Sequence, residues 1–332
     1  MRIGYLGAGT WGCALAQLLA QNGHEVVVWD YNSELIHLLR TTKRHPKLKG
    51  KALSDNISFV DSMEEAIADA EIIVESVTAG GIRSVLNQVT HFRKQLCPLV
   101  ITSKGIEQKT GLLLPEIALE VFGFENRSLI GCMSGPSLAD EVFQELPSSV
   151  VCSSYDSLLM HEVQKLFCAP HFRIYPNSDI HGICFGGAMK NIIAIACGIS
   201  DALRFGDNAK AALMTRGLHE IRKLSVAKNC RPETLNGLSG LGDLFVTCSS
   251  QLSRNNRFGQ LIAQGYSLVD AKEKIGMVVE GAYTVVSAYE LGKEHEIPLP
   301  ITNATYSMLY EGMAPKEAVK SLLQRAIKEE HL

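Results

Sequence analysis

A lysine stands in the most apolar stretch of the chain. Residues 182–199 read GICFGGAMKNIIAIACGI, with Lys190 and Asn191 near the centre. An ammonium taken out of water is costly unless paired, and burial lowers the pKa of its amine. A lysine held in this way suits exchange of an alcohol proton, as general base in one direction and general acid in the other. The competing arrangement is a lysine that snorkels to solvent along its aliphatic stem. Gly186 and Gly187 lie one turn earlier. Each costs about 1 kcal/mol against alanine in a helix, so the pair points to something that approaches closely. A second glycine-rich segment, Gly237-Leu238-Ser239-Gly240-Leu241-Gly242-Asp243-Leu244, reads as too flexible for a helix and too apolar for a solvated linker. Asp243 held there by the backbone could orient a lysine or a hydroxyl, or it could cap the next helix. Ser253-Arg254-Asn255-Asn256-Arg257 follows. Ser, Arg and Asn side chains around the N–H groups of a helix start make an anion cradle, the bland alternative being a solvated N-terminal cap.

The other group with chemical potential opens the chain. Gly7-Ala8-Gly9-Thr10-Trp11-Gly12 is a G-x-G-x-x-G run. Alone it could be a plain tight turn. Here it follows a buried-strand pattern (RIGYL, 2–6), opens a helix that stops at Asn22-Gly23, and precedes a second strand (EVVVW, 25–29), which is the context dinucleotide binding requires. Gly7 permits the turn, Gly9 lets the backbone approach a pyrophosphate, and Gly12 lets helix and strand pack; the N–H groups of the helix start face the diphosphate. Asp30 ends the second strand, 18 residues past Gly12. A carboxylate there can accept hydrogen bonds from ribose hydroxyls and repel a 2′-phosphate, which favours NAD over NADP. Otherwise it is a solvated loop acid. Lys43 and Arg44 lie further along and could still reach a phosphate.

The elements that must position these groups divide the chain in two. Ser62 and Glu65 have capping-box spacing at the head of SMEEAIADA. Strand patterns recur at 71–77, 99–104 and 129–135, with helical patterns between them, and again at 148–154 and 172–176. That alternation predicts βαβ units and a mainly parallel sheet. Beyond residue 178 no strand pattern is convincing, and helical runs cover 180–201, 207–228, 256–264, 281–296, 302–311 and 315–329. The expected architecture is an α/β Rossmann-type domain over 1–178 followed by an all-α substrate domain over 179–332, which suits a chain of 332 residues.

The totals narrow the class further. Apolar residues make up 46%, charged residues 20%, and the net charge is −3 with both signs interspersed. This excludes an electrostatic footprint for nucleic acid and a basic block for a membrane surface. The nine cysteines form no C-x-x-C pair; reduced thiols in a cytoplasm fit better than a disulfide framework or a zinc site, and no metal is expected. The N-terminus MRIGYLGAG lacks the profile of a signal peptide. With a lysine at its centre, 182–199 reads as a buried helix rather than a membrane span.

Seven segments then carry a specific resemblance. GAGTWGCALA (7–16), SKG (103–105), SGPSLADE (134–141), GGAMKN (186–191), GLGDLFVTC (240–248), SRNNRFG (253–259) and VVEG (278–281) fall in order and are similar to those of NAD(P)-dependent glycerol-3-phosphate dehydrogenases of the bacterial biosynthetic type. The likeness spans residues 1 to about 325. It implies hydride transfer between sn-glycerol 3-phosphate and dihydroxyacetone phosphate with NAD or NADP, at a cleft between the domains, supplying glycerol phosphate for phospholipids. It implies Lys190 as proton acceptor and Asp243 as the substrate-orienting acid. Lys104 matches a lysine between cofactor and substrate, Gly135 and Ser137 substrate contacts, and Ser253, Arg254 and Asn255 the phosphate-end contacts. Arg254 also falls near the cofactor, with Thr10, Trp11, Ala139, Val278 and Glu280 on the cofactor side. Where the family commonly carries an Arg or His suited to a 2′-phosphate, this chain has Asp30-Tyr31, which again favours NAD. A cytoplasmic enzyme is implied, with a small phosphorylated substrate, no nucleic-acid partner and no integral membrane association; a homodimer through the helical domain suits that domain's apolar content. Two rivals are another hydroxyacid or keto-acid reductase with a carboxylate clamp, and a non-catalytic NAD(H)-binding regulator, which would need no proton acceptor.

Overall fold

Strand and helix alternate from the first residue of the chain. The computed structural model describes residues 1–327 and 329, in two units. The first comprises Met1–Lys104 and Leu113–Cys184; the second comprises Gly105–Leu112 and the chain from Phe185 onward. The division thus falls later than the expected 178, inside a helix, and a short excursion out of the α/β sequence groups with the helical unit.

The first unit is built on an eight-stranded sheet: β1 (Arg2–Leu6), β2 (Glu25–Trp29), β3 (Ile57–Val60), β4 (Ile72–Glu75), β5 (Leu99–Ile101), β6 (Ile130–Ser134), β7 (Ser148–Ser154) and β8 (Phe172–Pro176). Their order is β3-β2-β1-β4-β5-β6-β7-β8. Every neighbouring pair is parallel except β6 with β7. Helices α1 (Thr10–Gln21), α2 (Ser33–Thr42), α3 (Met63–Ile67), α4 (Ile82–Phe92), α5 (Leu114–Phe122), α6 (Ala139–Phe143) and α7 (Ser157–Phe167) complete it. The central strands are buried runs of Val, Ile and Leu, as strands covered on both faces must be. The strand order reverses at β1–β4, and in such sheets the ligand crevice lies at the carboxyl ends beside that reversal. Three elements differ from expectation. β3 is an additional strand, too short at ISFV to carry a pattern of its own. β4 and β5 stop early, at Glu75 and Ile101, so that 76–77 and 102–104 run on as loops.

The second unit is helical: α8 (Ile180–Ala202), α9 (Asp207–Ala227), α10 (Asp243–Ser249), α11 (Arg254–Ala263), α12 (Leu268–Ile275), α13 (Glu280–Glu294), α14 (Pro300–Tyr310) and α15 (Pro315–Leu323). α15 ends before the expected 329; residues 328 and 330–332 lie outside the described residues. α8 is long and apolar enough to cross a membrane, yet all of its most apolar window is buried inside the protein. Its neighbours reach it backbone to backbone. A Cβ on Gly198 would stand 1.9 Å from the carbonyl oxygen of Asn256, and one on Gly259 would stand 2.1 Å from that of Ile195. These two glycines, one on each helix, let α11 lie directly on α8.

A buried acid joins α9 to α14. The first N–H groups of a helix have no acceptor within it, and α14 begins at Leu299-Pro300, with no side-chain cap. Glu220 supplies what is missing, accepting from the N–H groups of Ile301 (2.6 Å) and Thr302 (3.1 Å) and from the Thr302 hydroxyl (3.0 Å). Burial pushes its pKa up to about 7, although these donors favour the carboxylate. A folded-state pKa above the unfolded value near 4.5 makes the contribution to stability complete below pH 4.5 and lost as pH rises to about 7, a span of about 3 kcal/mol. Glu220→Gln removes the titration. The stability of the native protein relative to this variant should therefore fall by about 3 kcal/mol across that window in urea unfolding. A difference that stays flat with pH would refute the assignment.

Candidate functional site

In the first unit the glycine run forms the turn expected of it. Gly7 has φ +108°, and a Cβ there would lie 2.8 Å from the Ser76 carbonyl oxygen. A Cβ on Gly12 would lie 2.0 Å from the oxygen of Gly7. Gly9 differs: a Cβ there would meet nothing within 4 Å, and Gly9 caps α1 without a side-chain hydrogen bond. Open space in front of an uncapped helix start fits a pyrophosphate, which would take up the free N–H groups and the positive end of the helix dipole. β2 stops at Trp29, one residue before the expected Asp30, and Asp30 opens the following loop. One carboxylate oxygen accepts from the Ala8 N–H (2.7 Å), the other from the Asn32 N–H (2.9 Å), so it braces the glycine turn from beneath. Each oxygen retains a further lone pair for a ribose hydroxyl. Tyr31 beside it is 88% exposed. The Trp11 indole N–H donates to the Thr102 carbonyl (3.3 Å). This draws the start of α1 to the 102–104 loop.

That loop carries Lys104, whose Nζ donates to the Gly135 carbonyl (2.9 Å) and to Ser137 Oγ (3.1 Å); Ser137 in turn donates to the same carbonyl (2.8 Å). SKG and SGPS therefore meet, and Ala139 starts α6 immediately afterwards. Behind the loop stands an acid that the sequence did not single out. Glu75, the last residue of β4, is fully buried. It accepts from Ser103 Oγ (2.6 Å) and from the Val77 N–H (3.0 Å), and burial pushes its pKa up to about 7. Its position in a strand of isoleucine and valine was the available signal.

In the second unit Lys190 does not snorkel. It is 6% exposed, Asp243 is 1% exposed, and the two form a buried ion pair. The segment that delivers Asp243 is helical after all, contrary to the expectation drawn from its glycines. Leu238–Gly242 makes a π-helical turn that runs into α10. A Cβ on Gly186 would lie 2.6 Å from the Ser239 carbonyl oxygen, so the bare face of α8 is what admits this turn. Asp243 is not a side-chain cap; Gly242 occupies the N-cap. One turn later, Thr247 Oγ1 donates to the Asp243 carbonyl (2.6 Å) and lies 3.5 Å from its carboxylate.

Next to the pair, α11 begins with the Ser-Arg-Asn segment singled out in the sequence. Ser253 is its N-cap, accepting from the Asn256 N–H (3.2 Å), but it is a buried cap and not the solvated one of the alternative reading, and its hydroxyl can still donate. Asn255 Nδ2 donates to Asn191 Oδ1 (2.9 Å), and Asn255 Oδ1 accepts from the Gly281 N–H (3.0 Å). The amide has a second hydrogen for an anion. Arg254 Nη1 donates to the Val278 carbonyl (3.1 Å). Crowding by the protein lowers the guanidinium pKa, an effect opposed by Glu280. The structure thus brings Lys190, Asn191, Asp243, Thr247, Ser253, Arg254, Asn255, Val278 and Glu280 into one connected set. Asn191 and Thr247 were given no role from sequence. Thr247 lies four residues past Asp243, on the same helical face, and that spacing could have found it.

Comparison with known proteins matches both parts of the chain. The N-terminal family model of NAD-dependent glycerol-3-phosphate dehydrogenase matches residues 2–159, and the C-terminal model matches 179–320. A glycerol-3-phosphate dehydrogenase [NAD(P)+] of Protochlamydia amoebophila is 57% identical over 331 residues, covering 100% of this chain and 99% of that protein. The Chlamydia caviae protein of the same name is 54% identical with the same coverage. Among solved structures, glycerol-3-phosphate dehydrogenase from Coxiella burnetii superposes with a TM-score of 0.93 at 33% identity, covering 98% of this chain and 99% of that one.

Removing one member of a buried ion pair strands the other. Asp243→Ala should destabilise the protein by about 3–5 kcal/mol. Lys190→Met combined with Asp243→Leu should recover most of that loss. Equal loss in the single and double variants, measured by urea unfolding, would contradict the pairing.

Proposed function

The chain belongs to the NAD-dependent glycerol-3-phosphate dehydrogenase family, and from that premise we propose that it interconverts sn-glycerol 3-phosphate and dihydroxyacetone phosphate, with Lys190 as the proton-transferring group. The observation that carries this reading is the buried Lys190–Asp243 pair joined through Asn191 and Asn255 to the anion cradle of α11. When bound, NAD or NADP supplies or accepts hydride at C4 of its nicotinamide ring. Lys190 Nζ gives a proton to the oxygen on C2 of the ketone and takes it back from the alcohol in the reverse direction. Its positive charge meets the negative charge that develops on that oxygen. Asp243 holds the amine in place, and Thr247 steadies Asp243. Arg254, Asn255 and Ser253 take the phosphate, whose binding energy fixes C2 relative to Nζ. Lys104, Gly135 and Ser137 hold the remaining substrate oxygens. Gly7, Gly9, Thr10, Trp11 and Gly12 receive the pyrophosphate, Asp30 the adenosine ribose with Tyr31 beside it, and Ala139, Val278 and Glu280 complete the cofactor contacts.

Asp30 supports NAD over NADP, because a 2′-phosphate would face a carboxylate already anchored by two N–H groups. The product would feed phospholipid synthesis, in a cytoplasmic enzyme that forms a homodimer through its helical unit.

The decisive assay is oxidation of NADH and NADPH with dihydroxyacetone phosphate, against a panel of 2- and 3-keto acids. Turnover restricted to the phosphorylated ketone is expected; preference for a keto acid would sink the assignment. Lys190→Met should lose at least about 10³-fold in kcat while NADH still binds, and a variant keeping a tenth of the native rate would remove Lys190 from the chemistry. Asp30→Asn, which keeps the shape and an acceptor for Ala8, should narrow the NAD-over-NADP ratio of kcat/KM by about tenfold. An unchanged ratio would leave Asp30 only its bracing role.

A further inference from the structure

Arg254 and Asn255 are the first two residues of α11, and the residue after them binds neither solvent nor, in the reading above, substrate. Asn256 is 1% exposed, and its side chain is fully engaged. Nδ2 donates both to Asp201 Oδ2 (3.1 Å), at the end of α8, and to the Cys248 carbonyl (3.1 Å), near the end of α10. Oδ1 accepts from Gln260 Nε2 (2.7 Å). The backbone N–H of Asn256 is the one capped by Ser253, and its carbonyl rests on Gly198 of α8. Asp201 is held in turn by Lys210 of α9, Nζ to Oδ1 at 2.7 Å.

We propose that Asn256 is a positioning residue that sets the phosphate cradle in register with the proton donor. The three helices it ties together are those that carry Lys190 (α8), Asp243 and Thr247 (α10), and Ser253, Arg254 and Asn255 (α11). A hydrophobic residue of similar size would leave the Cys248 carbonyl and Asp201 without this donor, and the first turn of α11 would be free to shift along α8. Because Asn255 shares that turn, a shift there moves the phosphate relative to Nζ without touching either. Lys210 makes the network a relay: α9 fixes Asp201, Asp201 fixes Asn256, and Asn256 fixes the cradle. This inference rests on the reading of Arg254 and Asn255 as phosphate contacts.

The test uses Asn256→Leu, which keeps the size and loses both donations, with Asn256→Ala, Asp201→Ala and the Asp201→Ala/Asn256→Ala pair. Steady-state kinetics are measured with dihydroxyacetone phosphate and with unphosphorylated dihydroxyacetone, alongside NADH affinity by fluorescence. The expected result is a fall in kcat/KM for dihydroxyacetone phosphate of about tenfold or more, most of it in kcat, with unchanged NADH affinity and unchanged kcat/KM for dihydroxyacetone. The loss in the double variant should be smaller than the sum of the two single losses, since the two changes share the Asn256–Asp201 contact. Equal losses on the two ketones would mean a structural role only and overturn the proposal, as would an unaltered kcat for dihydroxyacetone phosphate in both Asn256 variants. If the native protein itself shows no preference for the phosphorylated ketone, the phosphate reading fails first, which separates the two failures.

Discussion

A positive charge buried in the apolar centre of a protein is tolerable only if a negative one is brought to it, and the helical unit is arranged around that requirement. α8 supplies Lys190 from within a stretch otherwise suited to a membrane interior. Gly186 leaves the gap into which the π turn at 238–242 settles, and the turn aims Asp243 at the amine. Well-packed apolar residues of the same volume would be as stable as such a pair or more so. The pair is therefore poor evidence of a stability device and good evidence of a chemical one. The proton transfer proposed above would gain from this dryness, since little solvent is left around the pair to reorganise during the reaction.

The dinucleotide unit uses charge in a different way. Asp30 follows β2 and Glu75 ends β4, on opposite sides of β1, and both accept backbone N–H groups of the loops that follow or adjoin them. Asp30 ties the glycine turn to β2. Glu75 joins the ends of β4 and β5 through Ser103, the residue before Lys104. Loops with few side chains to pack are held here by carboxylates set beneath them. The glycine turn can then do without side-chain packing at Gly9, where an added Cβ would meet nothing within 4 Å.

The parts that were legible in the sequence are those whose local pattern and tertiary role coincide. The glycine run needed only its flanking strands, and Lys190 was conspicuous because nothing near it in sequence could solvate it. The fold class followed from alternation that gives way to helix. What stayed hidden depended on contacts distant in sequence. The 237–244 segment looked unstructured because its glycines weaken an isolated helix; only against the bare face of α8 do they become the means of packing a π turn. Asn191 and Thr247 are ordinary polar residues until α11 and Asp243 come beside them. Glu220 reads as a surface acid of α9, and its partners, the first N–H groups of α14, lie 81 and 82 residues away. β3 was too short to announce itself.

The precision demanded of such a site explains the glycines better than local flexibility does. A displacement of about 1 Å between reacting groups can cost roughly 10²-fold in rate. Helices that meet through long side chains can absorb such a displacement by changing rotamers. α8 and α11 meet instead at Gly198 and Gly259, where the facing carbonyl oxygens would stand within 1.9 and 2.1 Å of an added Cβ. No side chain intervenes to give way. The first turn of α11 thus inherits its position from the backbone of α8, the helix that carries Lys190, and the distance from cradle to amine is set by the closest contact two helices can make.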